Sequence, residues 1–264
     1  MKIIVSASKI GRYQQCKRRY QLHRQGWEEI DISPNLYVGR AIHRAVQFYH
    51  LSKNQEEAFF EGFKELPADD DGTLRDIVYA TLVVYFEDLK KNPLTVVSTE
   101  TGDGLIIPLN DEIGYRLRMD GLVNDDGFRV LEMKSSGDHP GNFWKRYEMD
   151  FQTTGYVWCS RKHFELPVKG ALVIAMFKPG GKNKEAMIQR QRITPSEETL
   201  SNWLTDTIDI AEEMYRTKEI NRFPKSWNCI NSWNQRCEFL PYCSNDNNLD
   251  VLRSTHRLVD RRKP

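Results

Sequence analysis

Two carboxylates and one amine in the middle of the chain have the spacing of a metal site built on paired strands. Glu132 and Lys134 are two residues apart, so their side chains emerge on one face of a β-strand. Asp120 lies near Glu132 if the two segments pair. Oxygen ligands suit Mg²⁺ or Mn²⁺, which polarise phosphoryl oxygens and acidify bound water. Lys134 would orient that water or neutralise developing charge. The simpler alternative is an exposed hairpin with a cross-strand salt bridge.

The segment that must position these groups covers residues 116–136. Residues 124–127 read Asn-Asp-Asp-Gly, which is strong turn chemistry because Gly accepts positive φ and Asn and Asp bond back to their own backbone. Apolar residues alternate with polar ones before and after this turn. The pattern predicts two strands that pair across the turn.

Composition restricts the class of protein. The chain has 264 residues, 39% hydrophobic and 28% charged, as expected for one globular domain over residues 1–264. A net charge of +1 confines any nucleic-acid surface to a local patch. No apolar run approaches the length of a membrane span, and the apolar start is too short for a signal peptide. We therefore expect a cytoplasmic protein that has no membrane partner.

Periodicity predicts helices and strands on both sides of the hairpin. A helix over residues 36–51 carries His43, which without further context is a structural or surface residue. A helix over 149–163 places Gln152 and Tyr156 on one face. Glu100 is a candidate further acid, although a surface position is favoured. The remaining predictions are helices at 55–66 and 74–90, within a helical insertion of about 52–92, and at 195–218, and strands at 94–100, 105–109, 171–177 and 186–193, with a flexible basic turn at 178–184.

The cysteines indicate a second metal centre. Cys229, Cys237 and Cys243 lie within fifteen residues, in a segment rich in Asn, Ser and Trp. In a cytosolic protein such a group is more typical of metal ligation than of disulfides. Cys16 is the candidate fourth ligand, whereas Cys159 is interpreted as a small buried apolar residue.

Four motifs, in this order, resemble the RecB-like branch of the PD-(D/E)xK nuclease superfamily. They are residues 39–43 (GRAIH), 119–121 (MDG), 131–134 (LEMK) and 152–156 (QTTGY). The start of the chain and the last three cysteines resemble the subgroup that carries an iron–sulfur cluster. That subgroup includes CRISPR-associated adaptation exonucleases, AddB-type nuclease domains and phage relatives. The resemblance extends from Ser6 to Cys243.

The resemblance implies an α/β fold, with a restriction-endonuclease-like core of mixed sheet flanked by helices and with termini joined by a cysteine-ligated cluster. It implies that Lys134 acts on the attacking water, and that Gln152 and Tyr156 contact the DNA backbone or steady Lys134. The Mg²⁺ or Mn²⁺ ligands would be His43, Asp120, Glu132 and the backbone carbonyl of Met133. The ligands of a 4Fe–4S cluster would be Cys16, Cys229, Cys237 and Cys243.

One departure from the subgroup concerns the cysteine spacing. Seven residues separate Cys229 from Cys237, where many members of the subgroup have two. An all-cysteine site also binds Zn²⁺, which is the alternative at these residues.

The leading hypothesis is a metal-dependent deoxyribonuclease, expected from the resemblance to be an exonuclease on single-stranded DNA ends. It would act in recombination, repair, or CRISPR or phage DNA processing, with recombination or CRISPR adaptation proteins as partners, in bacterial, archaeal or phage-infected host cytosol. The alternative is a non-catalytic DNA-binding or complex-assembly module with a structural cluster. A third interpretation is a zinc-stabilised protein of unrelated function.

Overall fold

The structure, a computed structural model, describes residues 3–99, 104–147, 149–180, 182–227, 229–230 and 236–260. The chain forms two compact units. The terminal unit consists of Met1–Ile32, Asn110–Ile113 and Asp206–Pro264, and the central unit consists of Ser33–Leu109 and Gly114–Thr205. Within the part of the chain that is described, no helix has the length and apolar character needed to cross a bilayer.

The bounds of the regular elements are close to those that periodicity predicts for the longer helices and strands. The strands are β1 (Ile3–Val5), β2 (Trp27–Glu29), β3 (Thr95–Thr99), β4 (Leu105–Pro108), β5 (Ile113–Leu117), β6 (Gly121–Asn124), β7 (Phe128–Ser136), β8 (Gly170–Phe177), β9 (Met187–Ile193) and β10 (His256–Leu258). The helices are α1 (Ala7–Gln15), α2 (Lys17–Gln25), α3 (Pro34–Ser52), α4 (Gln55–Phe63), α5 (Thr73–Lys91), α6 (Pro140–Trp144), α7 (Phe151–Phe164), α8 (Glu197–Glu219), α9 (Leu240–Ser244) and α10 (Leu249–Thr255).

The central unit contains a mixed sheet with the strand order β3-β6-β7-β8-β9. Strands β7 and β8 are parallel and the other neighbours are antiparallel. The connection from β7 to β8 passes through α6 and α7, as a parallel pair requires. Every residue of β8 is buried, because both faces of the sheet are covered. The predicted fold class, a central mixed sheet flanked by helices, is confirmed.

Each face of this sheet packs against different helices. Leu131, Met133 and their neighbours on β8 form one core cluster with apolar residues of α3 and α5. Helices α4 and α5 occupy the predicted insertion range and contribute residues such as Ala58 and Leu82 to this cluster. On the opposite face, Val173 and Phe177 pack against Phe143 of α6. The parallel pair of β7, which carries Glu132 and Lys134, and β8 is therefore packed on both faces.

The chain changes sheets just before the acidic residue Asp120. Strand β5 pairs with β4, whereas β6 pairs with β3 and β7. The prediction of one continuous strand through this stretch is wrong. Strand β3 approaches β6 so closely that a Cβ at Gly121 would lie 2.6 Å from the carbonyl oxygen of Ser98. Residues 118–120 connect β5 to β6, and Asp120 is the last residue of this connection.

The terminal unit joins the two ends of the chain. Strand β2 pairs antiparallel with β10, in the register Glu29 to His256. Leu22 of α2 packs in an apolar cluster with Phe239, Tyr242 and Leu252. The sequence analysis predicted neither α2 nor β10. Strand pairing and apolar contacts thus hold the chain ends together in addition to any metal.

Candidate active site

Asp120 occupies the edge of β7 that β6 leaves free. The pairing of β6 with β7 stops at Gly121 opposite Leu131. Beyond that point, Asp120 Oδ2 accepts a hydrogen bond from the backbone N–H of Met133 at 2.5 Å. A strand residue directs its N–H and its C=O towards the same edge, so we expect the Met133 carbonyl to be directed to the side on which Asp120 lies. The fold therefore sets a carboxylate beside the backbone of the LEMK motif.

His43 completes this side of the site. Its Nδ1 atom lies 3.3 Å from Asp120 Oδ1, and its side chain is about one-third exposed. Burial lowers the pKa of His43, but the Asp120 carboxylate outweighs burial and leaves that pKa above its ordinary value. The helical histidine therefore belongs to the same group as the acid from the hairpin region.

Glu132 and Lys134 form the second pair. Both lie on β7 opposite residues of β8, with Glu132 beside Val173 and Lys134 beside Ala175. Glu132 is only 2% exposed, and its carboxylate forms an ion pair with the Lys134 ammonium. We call His43, Asp120, Glu132 and Lys134 the acidic site.

The pKa values of the two carboxylates are shifted in opposite directions. Burial raises the pKa of Glu132 to about 7; the nearby negative charge of Asp120 adds to this, and Lys134 opposes it. Burial also acts to raise the pKa of Asp120, but His43, Lys134 and the Met133 N–H together hold it below its usual range. Burial opposes the charge of Lys134, yet Glu132 raises the pKa of that ammonium. Asp120 therefore carries the more firmly fixed negative charge.

Helix α7 presents the other predicted side chains. Asp150 caps it by accepting the Thr153 N–H at 2.6 Å. Gln152 Nε2 donates to the hydroxyl of Tyr156 at 2.8 Å. Burial raises the pKa of Tyr156, and the charge of Glu132 raises it further. Gly155 has no room for a Cβ against Trp203, which explains a glycine within the QTTGY motif.

The sequence analysis missed one aromatic residue in these surroundings. Tyr147 is buried, and burial raises the pKa of its phenol while the charge of Lys134 opposes the rise. Tyr147 lies in a short helical turn after α6 and before the predicted helix over 149–163, so no periodicity indicated it.

The structure thus brings the predicted residues together as pairs. Asp120 contacts His43 and the Met133 N–H, Glu132 contacts Lys134, and Gln152 contacts Tyr156. Over the described ranges, no three His, Cys, Asp or Glu side chains are grouped closely enough to hold a metal ion. Glu100 lies outside the described residues.

The four cysteines predicted as ligands line one cavity of the terminal unit. This cavity measures about 460 Å³. All five cysteines of the chain are free thiols. The Sγ atom of Cys16 accepts the N–H of Ser226 at 3.3 Å, and the Cys237 N–H donates to the Cys229 carbonyl at 2.8 Å. We call the four lining residues, Cys16, Cys229, Cys237 and Cys243, the cysteine region.

Burial and neighbouring charges shape the cysteine region. Burial raises the pKa of Cys237 to about 12 and also raises the pKa of Cys243. Beside Cys237, the carboxylate of Glu238 accepts hydrogen bonds from Arg19 at 2.9 Å and from His23 at 2.7 Å. These bonds tie the C-terminal segment to α2. A cation that binds the thiols must therefore displace their protons.

Comparison with known proteins identifies the class. The chain belongs to the PD-(D/E)XK nuclease superfamily, whose family model matches residues 4–244. The predicted superfamily is thereby confirmed, and the protein is a nuclease by class. No match was found among the curated proteins.

The chain is similar to several solved structures, and the first of them shares its fold. A protein from Eubacterium rectale, named provisionally as an exonuclease, is 14% identical, with a TM-score of 0.58 over 93% of this chain and 88% of that one. The alkaline exonuclease LHK-Exo of Laribacter hongkongensis is 8% identical, with a TM-score of 0.31 over 68% of this chain and 91% of that one. Its complex with dAMP is 10% identical, with a TM-score of 0.30 over 72% and 96%.

Proposed function

We propose that the protein is a deoxyribonuclease that depends on Mg²⁺ or Mn²⁺ and acts as an exonuclease on single-stranded DNA ends. The observation that carries the proposal is the arrangement around Met133. Asp120 accepts a hydrogen bond from the Met133 N–H, and Glu132 and Lys134 flank Met133 on β7. Superfamily membership supports phosphodiester hydrolysis. The exonuclease and single-strand preferences rest on the resemblance in the sequence.

The donor set fits a hard divalent cation. It offers the carboxylates of Asp120 and Glu132, the imidazole of His43 and the carbonyl of Met133, and oxygen ligands dominate. When bound, Mg²⁺ or Mn²⁺ supplies a polarised phosphoryl oxygen and a more acidic water. Asp120 is held in place for this by the Met133 N–H and by His43. The fit is therefore one of donor chemistry and of support from the fold.

The residues of the chain divide the remaining work. Glu132 must exchange its bond with Lys134 in order to act as a ligand, which frees the ammonium for the substrate. Lys134 then neutralises charge on the phosphate or orients the attacking water. Gln152 and Tyr156, bonded to each other on α7, contact the DNA backbone or steady Lys134. Buried surroundings strengthen each of these interactions.

We further propose that the cysteine region holds a 4Fe–4S cluster, with Zn²⁺ as the alternative. The four thiols line one cavity of the terminal unit, and the resemblance of the chain's start and last three cysteines to the cluster-carrying subgroup favours the cluster. Free thiols agree with a reducing, cytoplasmic location. Recombination, repair, or CRISPR or phage DNA processing, with the protein partners of those processes, belongs to the same proposal.

A digestion assay tests the nuclease. End-labelled linear and circular DNA, single- and double-stranded, would be incubated with Mg²⁺, Mn²⁺ or EDTA. We expect metal-dependent loss of linear single strands and its near-abolition in Lys134→Ala. Lys169→Ala, which removes an exposed amine paired with Asp126, is the matched control and should cleave normally.

Several results would contradict the proposal. Undiminished cleavage by Lys134→Ala removes the catalytic assignment, and equal digestion of circular DNA removes exonuclease action. DNA binding without turnover favours the non-catalytic module. For the cysteine region, iron with acid-labile sulfide in an anaerobic preparation supports the cluster, whereas stoichiometric zinc supports the alternative.

A further inference from the structure

Lys178 carries a positive charge into the central unit without a carboxylate to balance it. The residue is 6% exposed and follows the last residue of β8, with its N–H donating to the Ser136 carbonyl at 2.8 Å. Its ammonium donates to Asn35 Oδ1 at 2.9 Å. No ion pair of Lys178 occurs among the residues that the structure describes. Burial is the cause of its lowered pKa. A buried cation with only an amide partner costs stability and requires an explanation.

The neighbouring lysines show that this is not a general property of the basic turn. Lys182 is exposed and bonds to Asp138 Oδ1 at 2.8 Å, and Lys184 is exposed to solvent. Lys178 alone in this group is buried beside a neutral acceptor. The sequence analysis placed all three in a flexible basic turn, and Lys178, directly after β8, is the buried member of that turn.

One face of α3 links Lys178 to the acidic site. Asn35, Gly39 and His43 are four residues apart, so they follow one another along the same face of the helix. Asn35 contacts Lys178, and His43 contacts Asp120. Between them, a Cβ at Gly39 would lie 3.5 Å from Ser135 Oγ. Successive members of this row are separated by about 6 Å along the helix axis.

The ammonium of Lys178 contacts an exposed residue although Lys178 itself is buried. Asn35, its partner, is an exposed residue in the first turn of α3. An ammonium has three N–H donors, and Asn35 takes one of them. The group that would both accept the remaining donors and neutralise the charge is an anion at this end of the row. In a protein that acts on DNA, that anion is a backbone phosphate.

We propose that Lys178, held by Asn35, binds a backbone phosphate of the DNA strand about 12 Å from His43 along α3. The inference rests on the proposed function. Lys178 is a positioning residue, because it holds the strand while the acidic site acts on another phosphate. Its buried charge is retained for binding rather than for stability.

Binding measurements separate this site from general electrostatic attraction. The probe is a fluorescein-labelled oligothymidylate, titrated without divalent metal at several salt concentrations. Lys178→Met should bind about tenfold more weakly at low salt. Its slope of log affinity against log salt should be shallower by about 0.7, the value for one phosphate contact in a single strand. Lys184→Met, the matched control, should keep the wild-type slope. Equal losses in the two variants would overturn the proposal.

The melting temperature distinguishes a binding role from a structural one, because loss of a structural lysine would lower it. Replacing a buried, uncompensated charge with an apolar side chain of similar length is neutral or stabilising. Lys178→Met should therefore melt at or above the wild-type temperature, and in cleavage assays its KM should rise while kcat changes little. A lower melting temperature with unchanged DNA binding would show that Lys178 is structural and would sink the inference.

Asn35→Asp tests the same site without removing the lysine. The new carboxylate neutralises Lys178, so the variant should be more stable and should bind the oligonucleotide more weakly. Ser33→Asp places the same charge at the same helix end without a bond to Lys178, and should weaken binding less. Equal effects of the two variants contradict the proposal. These binding tests do not depend on turnover, so they fail or succeed separately from the Lys134→Ala cleavage test.

Discussion

The acidic site and the cysteine region both gather residues that are distant in sequence, but the fold supports them differently. In the acidic site, His43 stands on a long helix, Glu132 and Lys134 stand on a buried strand, and Asp120 is bonded to that strand's backbone. In the cysteine region, Cys229 lies outside the regular elements and Cys243 lies in the five-residue helix α9. The first group is therefore carried by long elements of the core, whereas members of the second lie in a short helix or outside the regular elements.

The difference predicts opposite responses to loss of a ligand. The acidic site should keep its shape and lose only chemistry, because the core that carries it is complete without metal. If the cysteine region holds the proposed metal, its removal should cost order there, because a metal bound by the folded state alone adds its binding free energy to folding.

The largest effect is expected from Asp120→Asn. The variant should lose about 10³-fold in DNA cleavage, because a neutral amide ligates a hard cation poorly. Its melting temperature should change little, since the amide oxygen still accepts the Met133 N–H. Asp125→Asn, in the turn at the other end of β6 and bonded to Arg192, is the control and should cleave normally. Strong destabilisation by Asp120→Asn would show that the acidic site is not built independently of its charge.

Removal of a cysteine ligand should act on stability first. Cys243→Ser should lose its bound metal and melt lower by on the order of 10 °C. Cys159→Ser places a hydroxyl in a fully buried position of the central unit and is also expected to be destabilised. This variant should retain the metal of the cysteine region. Metal analysis and thermal melts distinguish the two variants. Full metal content in Cys243→Ser would exclude that thiol as a ligand.

The packing beneath the acidic site should give stability a defined pH dependence. His50 Nε2 shares a hydrogen bond with the buried Tyr85 hydroxyl at 2.8 Å. Burial, followed by the charges of Lys53 and Arg190, lowers the pKa of His50 from 6.5 to about 4. Above pH 6.5, the ordinary pKa of histidine, His50 is neutral in both the folded and the unfolded state. The burial of His50 therefore costs no stability from its charge at these pH values.

As the pH falls from 6.5 towards about 4, the unfolded state binds the proton first, so roughly 3 kcal/mol of stability is lost. Denaturant unfolding of the wild type and of His50→Phe across this range measures the loss. The variant should be less stable at neutral pH, because the Tyr85 hydroxyl loses its partner, and its pH dependence should be flatter. An unchanged slope would remove His50 as the source.

The smallest effect on stability is expected from EDTA. Chelation should abolish cleavage, yet it should lower the free energy of unfolding by less than about 1 kcal/mol, because a weakly bound divalent cation near its dissociation constant stabilises little. Differential scanning calorimetry with and without Mg²⁺ checks this. A shift as large as that of Cys243→Ser would break the contrast between the two regions.

Local patterns were sufficient for the part of the acidic site that lies on β7. The alternation of side chains and the turn at residues 124–127 predicted that Glu132 and Lys134 share one face of a strand. The apolar run of β8 predicted a buried strand. The sheet change before Asp120 was not predictable, because Tyr115, Leu117 and Met119 continue the alternation across it. The new strand begins at Gly121, where β3 approaches closely, and this tertiary contact is not visible in the sequence.

Long-range partners account for the other misses. Helix α2 is strongly basic and shows no apolar stripe, and it is anchored by Glu238, which bonds to Arg19 and His23 from more than 200 residues away. The buried state of Lys178 was hidden for the same reason, since its charge is visible in the sequence but its surroundings are not. Propensity and periodicity describe neighbours along the chain, and these residues are defined by neighbours in space.

The pairing of β2 with β10 sets an order for biosynthesis. Glu29 pairs with His256, so 227 further residues (256 − 29) must leave the ribosome before the ladder can close. At about 5 to 20 residues per second, this delay lasts on the order of 10 to 45 s. All residues of the central unit are synthesised before then, whereas Cys16 must wait for its companion thiols. The terminal unit is therefore the last part of the chain to complete its fold.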